Sequence, residues 1–384
     1  MKTTIWPYII LSYASLFVYG FTENIRGPLF PDILSGFKVT DAVGSWMFAI
    51  TSVSGFTASY SARFLLRRFE RINVLRMAAF LSFVSIVGLC VSPNFGVFLF
   101  FSFLVGLSQG ILALIPNILV PLGASQVLKQ QLLSGLHSMY GLASFMAPLG
   151  IAALSALTHD WRWGLALASP LPLALFFYTL HKSHVPAPKK VPEEDLDRPM
   201  ISTRHAAPQL FLASVVSFNV AAEVMLSSRL ALFMRREHHS TPQEASLYVT
   251  YFFVGMLAGR LLFTVHKFSA PLLRQLSISL ILTLLCLLAG LFYHPLFLPL
   301  CGLFIAPFYP LAISFISSEF TDDLDSAVSY MTATDCFMLI VMHLFIGKMT
   351  SLFDIKYALL AGAGFLVISF ILTNTYTVFF PRRK

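Results

Sequence analysis

The chain of 384 residues is 57% hydrophobic and only 11% charged, whereas soluble domains carry about 25% charged residues. A soluble protein could not bury this much apolar surface, but a lipid bilayer can solvate it, so the composition indicates an integral membrane protein. The formal net charge of +8 does not indicate nucleic-acid binding, because the basic residues lie between the apolar runs, where they set membrane topology.

Apolar runs long enough to cross a bilayer recur along the chain. Each helical span needs about 20 apolar residues, and lipid offers the backbone no alternative hydrogen-bond partner. The first six predicted spans cover residues 6–30, 42–60, 72–92, 95–120, 132–158 and 163–181. The second six cover residues 208–234, 243–265, 272–292, 295–318, 326–350 and 356–379. The predicted fold class is an all-α membrane protein with twelve transmembrane helices, the first of them retained rather than cleaved as a signal peptide.

A proline-rich stretch of mixed charge divides the spans into two sets of six. Its composition is typical of a linker rather than of a folded domain. We predict an N-terminal six-helix bundle at 1–181, a cytoplasmic linker at 182–207 and a C-terminal six-helix bundle at 208–384. Most of the 26 Lys and Arg residues fall on the side of the two termini. Both termini are therefore predicted to be cytoplasmic.

The first span carries the strongest local signal, a polar and proline-containing stretch at residues 21–31. Pro28 and Pro31 lack a backbone donor and kink or end a helix. Broken helices at membrane depth are tolerated where they line a cavity. We therefore predict a substrate or ion site at this bend, with Glu23 as a proton-coupling candidate and Arg26 as a substrate-binding candidate. The alternative is an ordinary helix end at the outer interface, where Glu23 and Arg26 pair.

The seventh span repeats this pattern at the start of the second half. Glu223 and Arg229 are six residues apart and do not share a helix face, so each needs a partner elsewhere or water. Charged groups at this depth usually face the bundle interior. Glu223 is predicted to take part in proton coupling, and Asn219 and Arg229 are predicted to contact the substrate. The alternative for Arg229 is that it snorkels to the outer interface.

Asp335 is the acidic residue within the eleventh span. A carboxylate in this position must pair with a cation or take up a proton. We predict that it is a third coupling candidate. The alternative is a salt bridge to Arg229 or Arg26 that locks one conformation.

Weaker polar candidates lie in the fourth and fifth spans. Asn117, His137 and Tyr140 are predicted to contact the substrate through hydrogen bonds. The alternative for a lone intramembrane histidine is a hydrogen-bonded packing role.

Two pairs of glycines predict close helix packing. Gly106 and Gly110 in the fourth span, and Gly255 and Gly259 in the eighth, are spaced four residues apart. Small residues at this spacing let two helices approach closely in a membrane.

Catalytic and metal-binding patterns are weak. The four cysteines lie in apolar runs without metal-ligand spacing, and the acidic patch at 319–325 has no histidine beside it. We predict no cofactor, no metal and no enzymatic activity. One alternative is a metal site at His238 and His239. The alternatives of another class are a membrane-embedded enzyme, such as an acyltransferase, and a receptor that does not transport its ligand.

Twelve spans in two sets of six, joined by a cytoplasmic loop, resemble the major facilitator superfamily. The loop after the second span resembles the basic loop of that superfamily, although its usual aspartate is missing. Residues 255–260 occupy the corresponding place in the second half. The resemblance implies a gating role for the basic residues of these loops, Arg63, Arg67, Arg68 and Arg260.

Several stretches resemble the fucose/glucose:proton symporter branch of this superfamily. They are residues 106–117, 136–148, 218–223 and 302–310. The two coupling acids of the branch fall on Ala113 and Gly27, and Arg229 stands where a tryptophan is expected. Sugar symport therefore does not carry over directly, and the intramembrane arginines favour an anionic or zwitterionic substrate.

The sequence thus predicts a secondary active transporter that moves a small polar or anionic solute by alternating access. Its predicted partners are the solute, a proton or other coupling ion and the lipid bilayer, without nucleic acid. We expect a monomer that crosses the cell membrane many times. The alternative within the same superfamily is a multidrug or lipid exporter, which the many Phe and Met residues favour.

Overall fold

The computed structural model describes residues 4–125, 128–158, 160–180, 206–265, 268–320 and 324–380. Regular secondary structure in these residues is entirely helical, which confirms the predicted all-α class. The predicted linker lies outside the described residues, apart from its last two positions.

Nine described helices precede the linker. They are α1 (Trp6–Asn24), α2 (Arg26–Phe37), α3 (Asp41–Gly44), α4 (Trp46–Arg68), α5 (Arg71–Cys90), α6 (Phe95–Gly123), α7 (Lys129–Ser155), α8 (Trp161–Ala168) and α9 (Pro170–Leu180). Seven described helices follow it. They are α10 (Ala206–Glu237), α11 (Pro242–Val265), α12 (Leu272–Phe292), α13 (Phe297–Ile305), α14 (Phe308–Glu319), α15 (Leu324–Leu352) and α16 (Ile355–Phe379).

Ten stretches of the described chain are long and apolar enough to cross a membrane. They coincide with the third to the twelfth predicted spans, and two of them, α8 with α9 and α13 with α14, are interrupted next to a proline. The first two predicted spans also form helices, α1 and α4, but neither is among the ten. Glutamate and asparagine end α1, and serines and threonines recur along α4. The total of twelve spans and the cytoplasmic termini stay predictions.

The described residues form two compact units. The N-terminal unit comprises Met1–Val39 and Trp46–Arg198, and the C-terminal unit comprises Pro199–Lys384 together with Thr40–Ser45. We call Thr40–Ser45, which contains α3, the connecting segment. It joins α2 to α4 along the chain, yet by its contacts it belongs to the C-terminal unit.

Each unit has its own pattern of helix packing. In the N-terminal unit α4 packs against α6, and α1 packs against both α6 and α7. In the C-terminal unit α10 packs against α15 and α16, and α11 packs against α13. The helices that carry the polar candidates, α1, α7, α10 and α15, are thus packed within their own units.

The glycines that predict close packing lie where two helix backbones meet. A Cβ atom on Gly106 would collide with the Ser54 hydroxyl and the Thr51 carbonyl of α4. In the C-terminal unit a Cβ atom on Gly259 would collide with the Leu303 carbonyl of α13. Both close approaches confirm the prediction, because a larger residue at either glycine would push two helices apart.

Replacing Gly106 by alanine is expected to lower the free energy of unfolding by about 1–3 kcal/mol, the usual cost of overpacking. Thermal unfolding of the purified protein in detergent would measure the loss. Gly364→Ala is the control, because a Cβ atom there meets nothing within 4 Å and alanine favours the helix. Equal losses in the two variants would contradict the close approach of α4 and α6.

Candidate functional site

The break in the first predicted span places a buried arginine inside the N-terminal unit. Helix α1 ends at Asn24 and α2 begins at Arg26, with Ile25 between them. Pro28 and Pro31 follow and cannot donate backbone hydrogen bonds to the preceding turn. The helix resumes and continues to Phe37, so the break is not the end of the helix.

Neutral groups hold the Arg26 guanidinium. Nη1 donates to Thr51 Oγ1 of α4 at 2.8 Å, and Nη2 lies 3.4 Å from Gln109 Oε1 of α6. The Phe48 ring centroid lies 5.7 Å from Cζ. Arg26 is only 4% exposed, and its buried Nε has no hydrogen-bond partner among the described residues.

Glu23 lies on the other side of the break, against α7. The hydroxyl of Tyr140 donates to Glu23 Oε2 at 2.9 Å, and the Tyr19 side chain also hydrogen bonds to this carboxylate. The rings of Tyr19 and Tyr140 stack with centroids 5.5 Å apart. Asn24 adds a hydrogen bond from Nδ2 to Ser144 Oγ at 2.9 Å. Glu23 itself is partly exposed.

The two charges at the break do not pair with each other. Within the described residues, no carboxylate oxygen lies within 4.0 Å of the Arg26 nitrogens, and no basic nitrogen lies within 4.0 Å of the Glu23 carboxylate. A Glu23–Arg26 salt bridge is therefore not found in the structure, although the two charges act on each other electrostatically. We call Glu23, Arg26 and the groups that hold them the break cluster.

The other candidates of the N-terminal unit lie at exposed positions or outside the described side chains. Asn117 is exposed on α6, and its Nδ2 donates to the Ala113 carbonyl at 2.8 Å. His137 is exposed on α7, one turn before Tyr140. Arg68 is exposed at the end of α4, and the side chains of Arg63 and Arg67 lie outside those described.

Glu223 in the C-terminal unit has a cationic partner. Arg260 Nη2 lies 3.9 Å from Glu223 Oε1, and both side chains are largely buried. Arg260 lies within α11, which continues to Val265, so it belongs to the predicted eighth span and not to a loop, and its gating role stays a prediction. Arg260 therefore acts locally as the counter-charge for Glu223.

Asp335 lies on α15 within the same polar region. Ser217 Oγ of α10 lies 2.6 Å from Asp335 Oδ1, and Tyr309 interacts electrostatically with both Asp335 and Glu223. Among the described residues of the C-terminal unit, no basic nitrogen lies within 4.0 Å of the Asp335 carboxylate. The alternative of a salt bridge to Arg229 is therefore not found in the structure.

Asn219 is fully buried on α10, and neither atom of its amide has a hydrogen-bond partner among the described residues. Leaving a buried amide unsatisfied costs about 1–3 kcal/mol. The position of Asn219 is thus consistent with a polar role, although its prediction as a substrate contact stays a prediction.

Arg229 and Arg236 bind the connecting segment. Arg229 is 1% exposed, and its Nη2 donates to Ser45 Oγ at 3.0 Å. Arg236 Nη1 lies 2.9 Å from Asp41 Oδ2, and the Ala42 amide donates to Ser351 Oγ at 2.9 Å. The alternative of a snorkelling Arg229 is wrong, because its side chain is buried in the C-terminal unit.

Several residues of these networks carry no distinctive sequence signal. Thr51 and Ser217 belong to residue types that usually satisfy themselves locally, and they donate to the carbonyls of Met47 at 2.7 Å and Ala213 at 2.8 Å. Only their distance to a charged group on another helix reveals their role. In the described residues, no group of three His, Cys, Asp or Glu side chains could hold a metal ion.

Comparison with known proteins adds relatives in sequence and in fold. One relative is "Bypass of stop codon protein 6" of Saccharomyces cerevisiae, which is 24% identical over 338 residues, or 77% of this chain and 67% of the relative. A solved structure with a similar fold is a bacterial homolog of the human lysosomal transporter Spinster, in its inward-facing and occupied conformation. It has a TM-score of 0.74 at 14% identity, and the alignment covers 98% of this chain and 97% of the homolog.

Two further solved structures share the fold. The nucleoside transporter NupG, as a D323A mutant, has a TM-score of 0.75 at 12% identity and covers 98% of this chain and 99% of its own. A D-xylose-proton symporter has a TM-score of 0.73 at 14% identity, and the alignment covers 99% of this chain and 98% of the symporter. The family model described as Major Facilitator Superfamily matches residues 13–227. Because this match spans more than half of the sequence, the chain belongs to the major facilitator superfamily.

Proposed function

We propose that this protein is a secondary active transporter that moves a small polar or anionic solute across the membrane by alternating access, coupled to a proton or another ion. Membership of the superfamily supports transport. The fold shared with a nucleoside transporter and with a D-xylose-proton symporter favours a polar solute and a proton as the coupling ion.

Arg26 is the observation that carries this proposal. A buried guanidinium is costly unless a negative charge pairs with it, yet this one hydrogen bonds to neutral oxygens, and the nearby Glu23 carboxylate forms no salt bridge with it. The planar group can donate to a carboxylate or phosphate through two parallel hydrogen bonds. An anionic group on the solute would form the salt bridge that Arg26 does not form within the described residues.

Asp335 is the residue that we propose carries the proton. Glu223 has Arg260 as a counter-charge, whereas Asp335 has a serine hydroxyl as its hydrogen-bond partner. A carboxylate without a cation is expensive to keep charged at membrane depth, so proton uptake and release would accompany a change in its surroundings. Glu23 and Glu223 are the other two candidates for this role.

The remaining features of the proposal follow from the sequence. We propose twelve spans in two six-helix bundles, cytoplasmic termini, a location in the cell membrane and a monomeric state. Asn117, His137, Tyr140, Asn219 and Arg229 are the further solute contacts that we propose. Assignment of the chain to the fucose/glucose:proton symporter branch stays a prediction that rests on the resemblance of the sequence stretches alone.

Transport by purified protein in proteoliposomes tests the function. An imposed pH gradient should drive accumulation of a sugar or an organic anion, and a protonophore should abolish that accumulation. Movement of lipophilic cations alone would favour the multidrug exporter instead. Binding of a solute without counterflow would contradict transport and favour a receptor.

A further inference from the structure

We propose that the solute is a zwitterion, with its carboxylate at Arg26 and its ammonium group at Glu23. The break cluster is the site that the proposed transport would use, so the inference rests on that function and narrows its substrate class. Glu23 and Arg26 are the two charges of this cluster, and neutral groups on other helices hold each of them.

Neither charge of the cluster forms a salt bridge within 4.0 Å in the described part of the chain, although the two charges act on each other electrostatically. Thr51 and Gln109 are the hydrogen-bond partners of Arg26, and tyrosine hydroxyls are those of Glu23. Neutral partners orient a charged side chain but leave most of its charge uncompensated. The cluster thus offers one positive and one negative position.

The two side chains form no salt bridge because they extend towards different neighbouring helices. Residues three positions apart on a helix can form an ion pair, and Ile25 keeps right-handed helical dihedral angles between α1 and α2. Glu23 turns towards Tyr140 of α7, and Arg26 turns towards α4 and α6.

A solute of net charge zero fits this arrangement better than a simple anion. An anion at Arg26 would gain a charge-assisted pair, but Glu23 would remain nearby without compensation and would repel it. A simple cation at Glu23 would in the same way be repelled by the nearby Arg26 guanidinium. A zwitterion satisfies both positions together and places no surplus charge in a medium of low dielectric constant.

The test uses three matched series of small molecules and the melting temperature of the purified full-length protein. The zwitterions are glycine, β-alanine and γ-aminobutyrate, which differ in the distance between their charges. Acetate, propionate and butyrate lack the ammonium group, and methylamine, ethylamine and propylamine lack the carboxylate. The best zwitterion should bind about tenfold to 100-fold more tightly than its matched acid or amine, the range expected for one hydrogen bond to a charged group.

Two variants assign the ends of the solute. Glu23→Gln should remove the preference for the zwitterion over its matched acid, and Arg26→Gln should remove the preference over its matched amine. Arg162→Gln is the control, because that arginine is 39% exposed and lies 3.7 Å from Asp160. It should keep both preferences.

Equal shifts of the melting temperature with a zwitterion and its matched acid would overturn the inference. The absence of any shift of the melting temperature with the three zwitterions would overturn it as well. Gradient-driven accumulation of a sugar alongside either result would leave the proposed transport intact while the substrate class fails. Absence of transport for every class in the proteoliposome panel would overturn the function itself.

Discussion

Replacing Arg26 by glutamine is expected to reduce transport at low solute concentration by about 100-fold. Removing one partner of a buried, hydrogen-bonded charge pair costs about 2–5 kcal/mol of binding, and each 1.4 kcal/mol corresponds to about a factor of ten. Glutamine keeps a polar group near Thr51 and Gln109 but removes the charge that the solute needs. Initial rates of uptake into proteoliposomes would measure the loss.

The melting temperature separates this effect from misfolding. Because Arg26 is buried and forms no salt bridge within 4.0 Å among the described residues, a neutral residue should leave the fold as stable as before or more stable. Arg26→Lys should retain part of the activity, since lysine keeps the charge but not the planar fork. Full transport by Arg26→Gln, next to an equally active Arg162→Gln control, would refute the role of Arg26.

Asp335→Asn is expected to abolish accumulation driven by a pH gradient while exchange of solute across the membrane continues. An asparagine oxygen can still accept the hydrogen bond from Ser217, so the local structure is kept and only the exchangeable proton is lost. With one proton per solute, a gradient of one pH unit supports about tenfold accumulation. In the variant the ratio of internal to external solute should fall to about one.

Counterflow and gradient-driven uptake, measured on the same proteoliposomes, distinguish loss of coupling from loss of transport. Glu237→Gln is the control, because Glu237 is the last residue of α10 and lies outside the polar networks described above. Full gradient coupling in the triple variant Glu23→Gln, Glu223→Gln and Asp335→Asn would contradict protonation of any of the three carboxylates.

Most of the fold follows from local properties of the sequence. Ten stretches of apolar residues predict ten helical stretches long enough to cross a membrane, since a single segment in lipid can satisfy its polar backbone groups internally only as a helix. The first two spans are the informative exceptions. Their polar residues, among them Glu23 and Thr51, lower the mean hydropathy of α1 and α4, and the same residues belong to the break cluster.

The candidate site is less predictable, because it depends on which helices meet. Glu23, Arg26, Glu223 and Asp335 stand out in the sequence as charges in apolar runs. The counter-charge of Glu223 does not, since Arg260 lies 37 positions away and within a motif that resembles a gating loop. Pairing between residues on different helices depends on tertiary packing, and the periodicity and composition of a single helix do not predict which helices meet.

The connecting segment has a consequence for dissecting the protein into fragments. Asp41 and Ser45 are separated by more than 150 residues from the rest of the unit to which they belong. A fragment of residues 199–384 would contain Arg236 without Asp41 and would deprive the buried Arg229 of the Ser45 hydroxyl. Independent expression of the two sequence halves should therefore yield a less stable second half, and adding a peptide that spans residues 40–45 should restore part of that stability.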